Sequence, residues 1–91
     1  MKESIGQTEQ IFKALANRRR LIILRLLSAQ GSTSVGDIAS ELKLSYAATS
    51  RHLRALLNTN LVEQEQVNTT VNYSLPTHRP LALQAAIKMI R

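Results

Sequence analysis

Ninety-one residues leave room for one domain and one core, and a chain this short buries only about 60–65% of its unfolded surface, so it gains from association. Twelve Lys and Arg against six Asp and Glu give a net charge of +6, which favours a polyanionic partner because each neutralised phosphate releases condensed counterions. The absence of cysteine excludes disulfides, thiol catalysis and zinc–thiolate sites.

Two further exclusions follow from the composition. The longest apolar run, Leu21 to Leu24, is too short for a membrane span or a signal-peptide core, so a soluble, cytoplasmic protein with no membrane partner is expected. Phe12, Tyr46 and Tyr73 are the only aromatic residues, too few for the stacking platform that single-stranded nucleic acid requires.

The chain shows no internal repeat and no low-complexity tract. From Ser4 to Ala16, Ile5, Phe12, Leu15 and Ala16 recur at near-helical spacing and predict a first amphipathic helix. Asn17 can cap a second helix, N-R-R-R-L-I-I-L-R-L-L-S-A, whose middle is apolar on almost every side and therefore belongs at the centre of a small fold. Arg18, Arg19 and Arg20 occupy its first turn, where the positive helix end disfavours cations. They either reach a phosphate or an acidic partner, or they form a solvated end whose cost salt screens.

Gly31-Ser32-Thr33 reads as a loop. Ser34 followed by Asp37 is a capping-box-like start for a short helix with Val35, Ile38, Ala39 and Leu42 inward. Lys43-Leu44 makes a tight connection, and Ser45 caps the next helix.

That helix, S-Y-A-A-T-S-R-H-L-R-A-L-L, divides into two faces. Thr49, Leu53, Leu56 and Leu57 fall on one side; Ala47, Ser50, Arg51 and Arg54 fall on the other. Short side chains allow a helix to approach a DNA major groove closely, and Arg supplies bidentate contacts to guanine or phosphate. A short helix, a brief turn and a longer helix with outward Arg form a helix-turn-helix. Asn60 is the expected left-handed residue after it. From Leu61 the period becomes two: Val62, Val71, Tyr73 and Leu75 alternate with polar residues around an Asn68-Thr69-Thr70 turn, which predicts a hairpin wing. Pro80 suits a first helical position, and Leu83, Ala86, Ile87 and Ile90 line one face of a last helix.

With this order in place, three stretches resemble the ArsR/SmtB family of winged-helix repressors: F-K-A-L-A-N-R-R-R-L-I-I-L-R-L-L, L-S-Y-A-A-T-S-R-H-L-R-A-L and N-L-V-E-Q-E-Q-V-N-T-T-V-N-Y-S-L. The match runs from Ile11 to Leu75. The fold it implies is mainly α with a small β-hairpin, five helices plus a wing, in one winged helix-turn-helix domain over residues 1–91. Within it, 1–16 and 77–91 are dimerisation helices, 34–57 the helix-turn-helix and 61–75 the wing. The resemblance further implies a homodimer that binds a palindromic operator in double-stranded DNA and represses transcription.

The departures from the family pattern are informative. Metal-sensing members carry E-L-C-V-C-D-L where this chain has S-T-S-V-G-D-I, so Ser34 and Gly36 stand in place of thiolates and cannot bind soft metal. A second family site uses His and carboxylates on the last helix; here His78 has only Gln84 near it in sequence, with no Asp or Glu from Leu75 to Arg91. No metal site and no cofactor are expected, and an inducer is not readable. Thr49 stands where the family usually has Val, and its hydroxyl can bond the carbonyl four residues back. The wing tip lacks the Arg or Lys of many relatives.

The expected DNA-contacting set is Ser45, whose neighbouring helix amides can meet a phosphate, Tyr46 at the groove entrance, Ala47, Ser50, Arg51 and Arg54 in the groove, and Asn68, Thr69 and Thr70 on the wing. His52 lies between the two faces and either reaches a phosphate or packs against the short helix. Ile5, Phe12, Leu15, Leu83, Ile87 and Ile90 are the expected dimer interface. A competing reading is a protein-interaction module that docks an acidic partner on the arginine face. An enzyme is not expected: His52 and His78 lack suitably spaced Ser, Asp or metal partners, and three glycines form no phosphate loop.

Overall fold

The computed structural model describes residues 4–91, so the start of the predicted segment 1–16 lies outside the described residues. The elements run α1 Ile5–Leu15, α2 Arg18–Gln30, β1 Thr33–Ser34, α3 Val35–Leu42, α4 Tyr46–Asn58, β2 Glu63–Val67, β3 Thr70–Ser74 and α5 Leu81–Ile90.

Helix starts follow the caps written in the sequence. Ser4 and Gln7 close a reciprocal capping box, Asn17 Oδ1 accepts from the Arg20 amide, Ser34 Oγ from Asp37 and Ser45 Oγ from Ala48, each at 3.0–3.1 Å apart from the 2.9 Å return bond to Gln7. Pro80 sits one residue before α5, where a missing N–H costs nothing.

Two helix ends carry matching stops. Lys43 and Asn60 both take left-handed backbone, with φ of 56° and 60°. Lys43 N–H bonds the Ser40 carbonyl and Leu44 N–H the Ala39 carbonyl; Asn60 N–H bonds Leu57 and Leu61 N–H bonds Leu56. Both are the Schellman pattern, which satisfies the last carbonyls and turns the chain sharply. These stops fix the angle between α3 and α4, and then the departure from α4 into the wing. Leu56 and Leu61, the apolar pair of the second stop, are both fully buried.

The helix α2 is central, as its all-round apolar middle demands. It contacts α1, α3, α4, α5 and β3, and Ile23, Leu24 and Leu27 are buried. Around them close Ile11 and Leu15 of α1, Ile38 of α3, Leu53 and Leu56 of α4, and Leu83 and Ile87 of α5. Each such side chain contributes about 1.5–3 kcal/mol on burial.

The sheet corrects one expectation. Thr33, read as the end of a loop, forms a strand with the cap residue Ser34: the sheet has three antiparallel strands in the order β1-β3-β2, with Thr33 opposite Tyr73 and Ser34 opposite Asn72. The pairing ties the root of the wing to the start of α3. The wing itself pairs Glu63 with Ser74 through to Val67 with Thr70, leaving Asn68-Thr69 as a two-residue loop. Asn68 supplies the left-handed backbone that such a loop needs, with φ of 59°. Thr70, expected in the turn, is the first residue of β3. No helix of the described residues is long and apolar enough to cross a membrane.

Candidate nucleic-acid interface

Helix α4 presents the two faces its spacing predicts. Thr49, Leu53 and Leu56 are buried, and the Thr49 hydroxyl donates to the Ser45 carbonyl at 2.9 Å. On the other side Tyr46, Ala47, Arg51 and Arg54 are exposed and Ser50 is half-buried. The leucines hold the helix from behind, and its small and cationic side chains remain wet. Ser45, exposed at the cap, has its hydroxyl committed to the Ala48 amide.

Among the described residues, neither Arg51 nor Arg54 has a carboxylate within 4 Å. Among the described residues the ion pair within 4 Å is Lys13 with Glu9, 3.8 Å apart on α1. Positive charge on α4 is therefore not neutralised by an ion pair among the described residues, which suits an anionic surface.

His52 is resolved by its surroundings. Arg20 Nε, at the start of α2, donates to His52 Nδ1 at 3.3 Å, and Arg20 Nη1 reaches the Ala14 carbonyl at 3.5 Å. A ring nitrogen that accepts carries no proton, so His52 is the neutral tautomer protonated at Nε2. Desolvation by burial first, then the guanidinium groups of Arg20, Arg19 and Arg51, lower its pKa below the ordinary histidine value. No half-buried side-chain nitrogen or oxygen among the described residues lacks both a partner and solvent. The Nε2 group, which has no hydrogen-bond partner among the described residues, is therefore not sealed from solvent. His52 is tied to α2 through Arg20. Sequence spacing placed Arg20 at a helix end and carried no sign of this contact.

Tyr73 ties the two long strands of the wing together. Its hydroxyl donates to Gln64 Oε1 at 2.9 Å across the β2–β3 pair. Burial raises the Tyr73 pKa, the Arg54 charge opposes that rise, and Tyr46 adds to it. At the tip, Asn68, Thr69 and Thr70 are exposed, and Gln66 Nε2 donates to the Asn68 carbonyl at 3.3 Å. All of β2 is exposed, Glu63 and Glu65 included. The wing thus offers amide and hydroxyl groups but no cation, beside two carboxylates.

The expected dimer residues separate into two groups. Ile5, 91% exposed, and Phe12 stand outside the core, while Leu15 and Ile90 border an apolar groove of about 870 Å³ between α1 and α5. Leu83 and Ile87 do not join them: both are buried against α2 within their own subunit. The exposed stripe of α5 carries Leu81 and Met89 instead, 81% and 82% exposed. Both stripes of L-A-L-Q-A-A-I-K-M-I are apolar, so spacing alone could not say which one faces outward. Among the described residues no group of three or more His, Asp or Glu side chains could hold a metal ion, and Ser34, in the place of a thiolate, is used as the α3 cap.

Residues 17–64 match the family described as bacterial regulatory protein, arsR family. The chain is 37% identical over 73 residues to the arsenical resistance operon repressor of Bacillus subtilis, covering 80% of this chain and 70% of that protein. It is 39% identical over 75 residues to the transcriptional activator HlyU of Vibrio cholerae, covering 82% of this chain and 68% of that protein. A solved HlyU structure from Vibrio cholerae superposes with a TM-score of 0.79 at 35% identity, covering 98% of this chain and 92% of that one. A homodimeric winged helix-turn-helix DNA-binding domain from Mycobacterium bovis, described as a possible ArsR-family regulator, gives a TM-score of 0.79 at 32% identity, covering 94% and 76%.

Proposed function

The chain belongs to the arsR family of bacterial regulatory proteins, and on that premise we propose that this DNA-binding regulator acts as a homodimer reading a two-fold symmetric operator. The observation that carries the reading is the exposed arginine pair on α4, without an ion-pair partner among the described residues and held outward by a buried Thr49, Leu53 and Leu56. Arg51 and Arg54 make the base or phosphate contacts, with Ala47 and Ser50 permitting close approach and Tyr46 at the groove edge. Asn68, Thr69 and Thr70 add hydrogen bonds from the wing without Coulomb attraction.

Dimerisation closes the α1–α5 groove, with Ile5, Phe12, Leu81 and Met89 crossing between subunits. The Mycobacterium bovis neighbour is a homodimer, and in a two-fold dimer the two α4 helices meet half-sites about 34–36 Å apart. Occupation of the operator blocks transcription, as the name of the Bacillus subtilis relative describes for that protein. Without cysteine at 34 or 36, any signal enters elsewhere than through soft-metal thiolates.

Selection of bound duplexes from a random pool tests this. A two-fold symmetric motif, bound with an affinity that falls steeply with salt, supports it. Arg51→Ala and Arg54→Ala should each cost ~1–3 kcal/mol at a guanine contact and relax specificity there. An unchanged double variant, or selective capture of acidic proteins with no duplex bound, overturns it.

A further inference from the structure

A second, smaller depression adjoins the α1–α5 groove. Its volume is about 360 Å³, within the range of about 300–1,000 Å³ that holds organic ligands. Leu21 and Ile22 of α2 and Ile90 of α5 give it an apolar lining, and Arg18 and Arg25 line it as well. Positions 18, 21, 22 and 25 share one face of α2, because they stand three, four and seven residues apart. A rise of 1.5 Å per residue sets the two arginine Cα atoms about 10 Å apart along the axis, with Leu21 and Ile22 between them. Both arginines are exposed, and among the described residues neither has a carboxylate within 4 Å. The larger groove differs: no charged residue lines it.

An apolar patch bracketed by two such cations is complementary to an organic anion with an apolar body. A carboxylate accepts two parallel N–H donors from one guanidinium fork. The second guanidinium adds to the positive potential over the same patch. A hydrocarbon body then takes Leu21, Ile22 and Ile90 out of water. A nucleic-acid backbone would leave the apolar patch uncovered, and an uncharged apolar ligand gains nothing from the arginines.

We propose that this depression binds a small apolar carboxylate through Arg18 and Arg25, and that the carboxylate is a signal to the regulator. The signalling half rests on the operator-binding reading; the binding half does not. Leu21 and Ile90 line both this site and the α1–α5 groove. A ligand packed on them therefore bears on the surface that closes the dimer, and through that surface on the spacing of the two α4 helices.

Calorimetric titration with octanoate tests the site. Wild type should bind it, and the Arg18→Gln/Arg25→Gln double variant should bind it about tenfold more weakly or worse. Acetate, a head without a body, and octanol, a body without a head, should each bind wild type about tenfold more weakly than octanoate. Ile22→Glu sets a fixed carboxylate among the same groups and should remove binding by a second route. In titrations of a selected duplex, octanoate should shift wild-type affinity about fivefold or more relative to acetate at equal concentration. The double variant should show no such shift. Both arginines are exposed, and an unaltered thermal melt verifies that the variant is folded. No octanoate bound at about 1 mM, octanol bound as tightly as octanoate, or equal binding by wild type and the double variant overturns the site. Binding that the variants abolish, with no octanoate-dependent shift in the duplex titration, overturns the signalling role. Wild type that binds no duplex overturns the operator reading, while the calorimetric comparison still decides the site.

Discussion

Replacing Thr49 with Val isolates how much the hydroxyl in the buried face of α4 matters. The Thr49 side chain is fully buried, and its hydroxyl donates to the Ser45 carbonyl at 2.9 Å, which also accepts the Thr49 amide at 3.0 Å. Val has the same shape, so no cavity opens. The lost hydrogen bond is worth about 0.5–1.5 kcal/mol. Because the Ser45 carbonyl keeps its backbone donor, no buried group is orphaned. That figure is already net of the hydroxyl's desolvation; against it stand about 0.8 kcal/mol for burying a methyl in the hydroxyl's place and relief of the slight bend that back-bonding imposes on helices. The balance lies within ~1 kcal/mol of zero. At about 2.1 cal/mol/K per residue of unfolding entropy, that is a shift in Tm of no more than ~5 °C for a chain this size. Melts at a fixed protein concentration measure it, since dimerisation makes Tm concentration-dependent. Duplex affinity should not change, because position 49 faces the core. A loss above ~1 kcal/mol, or an altered affinity with unaltered stability, would refute the reasoning.

The His52 ring is held neutral in the folded chain and is free to protonate at the ordinary pKa when unfolded, so the unfolded state binds more protons as the pH drops. Stability from this source is complete above the ordinary histidine range and declines as pH falls through it toward the folded-state value; wild type should lose more stability than His52→Gln between pH 7.5 and 5, and parallel curves would refute it. Lys43→Gly removes a side chain from left-handed backbone at φ 56°, and denaturant titration should show a gain of about 0.5 kcal/mol after glycine's own entropic cost. Phe12→Glu with Met89→Glu places charge on both lips of the α1–α5 groove and should give monomers by sedimentation with the helical content retained; a persisting dimer would place the interface elsewhere. Leu24→Ala, at a fully buried site in α2, should cost about 2–5 kcal/mol.

Much of this molecule is written locally. Ser4, Asn17, Ser34 and Ser45 start their helices through bonds to an amide three residues on, and the two faces of α4 follow from a repeat of 3.6. Such signals span one or two turns, so the amino-acid order is enough to read them, and the same holds for the left-handed Asn60 and for the hairpin of the wing. Other features depend on chain segments that meet only after folding. Thr33 and Ser34 become a strand because Tyr73 and Asn72 arrive beside them; two residues carry no alternation to detect. Arg20 meets His52 across 32 positions, a contact that no local pattern announces. In α5 both helical stripes are apolar, and packing on α2 alone decides that Leu83 and Ile87 go inward while Leu81 and Met89 stay out. Periodicity says that a helix has faces; only its neighbours choose which face is covered.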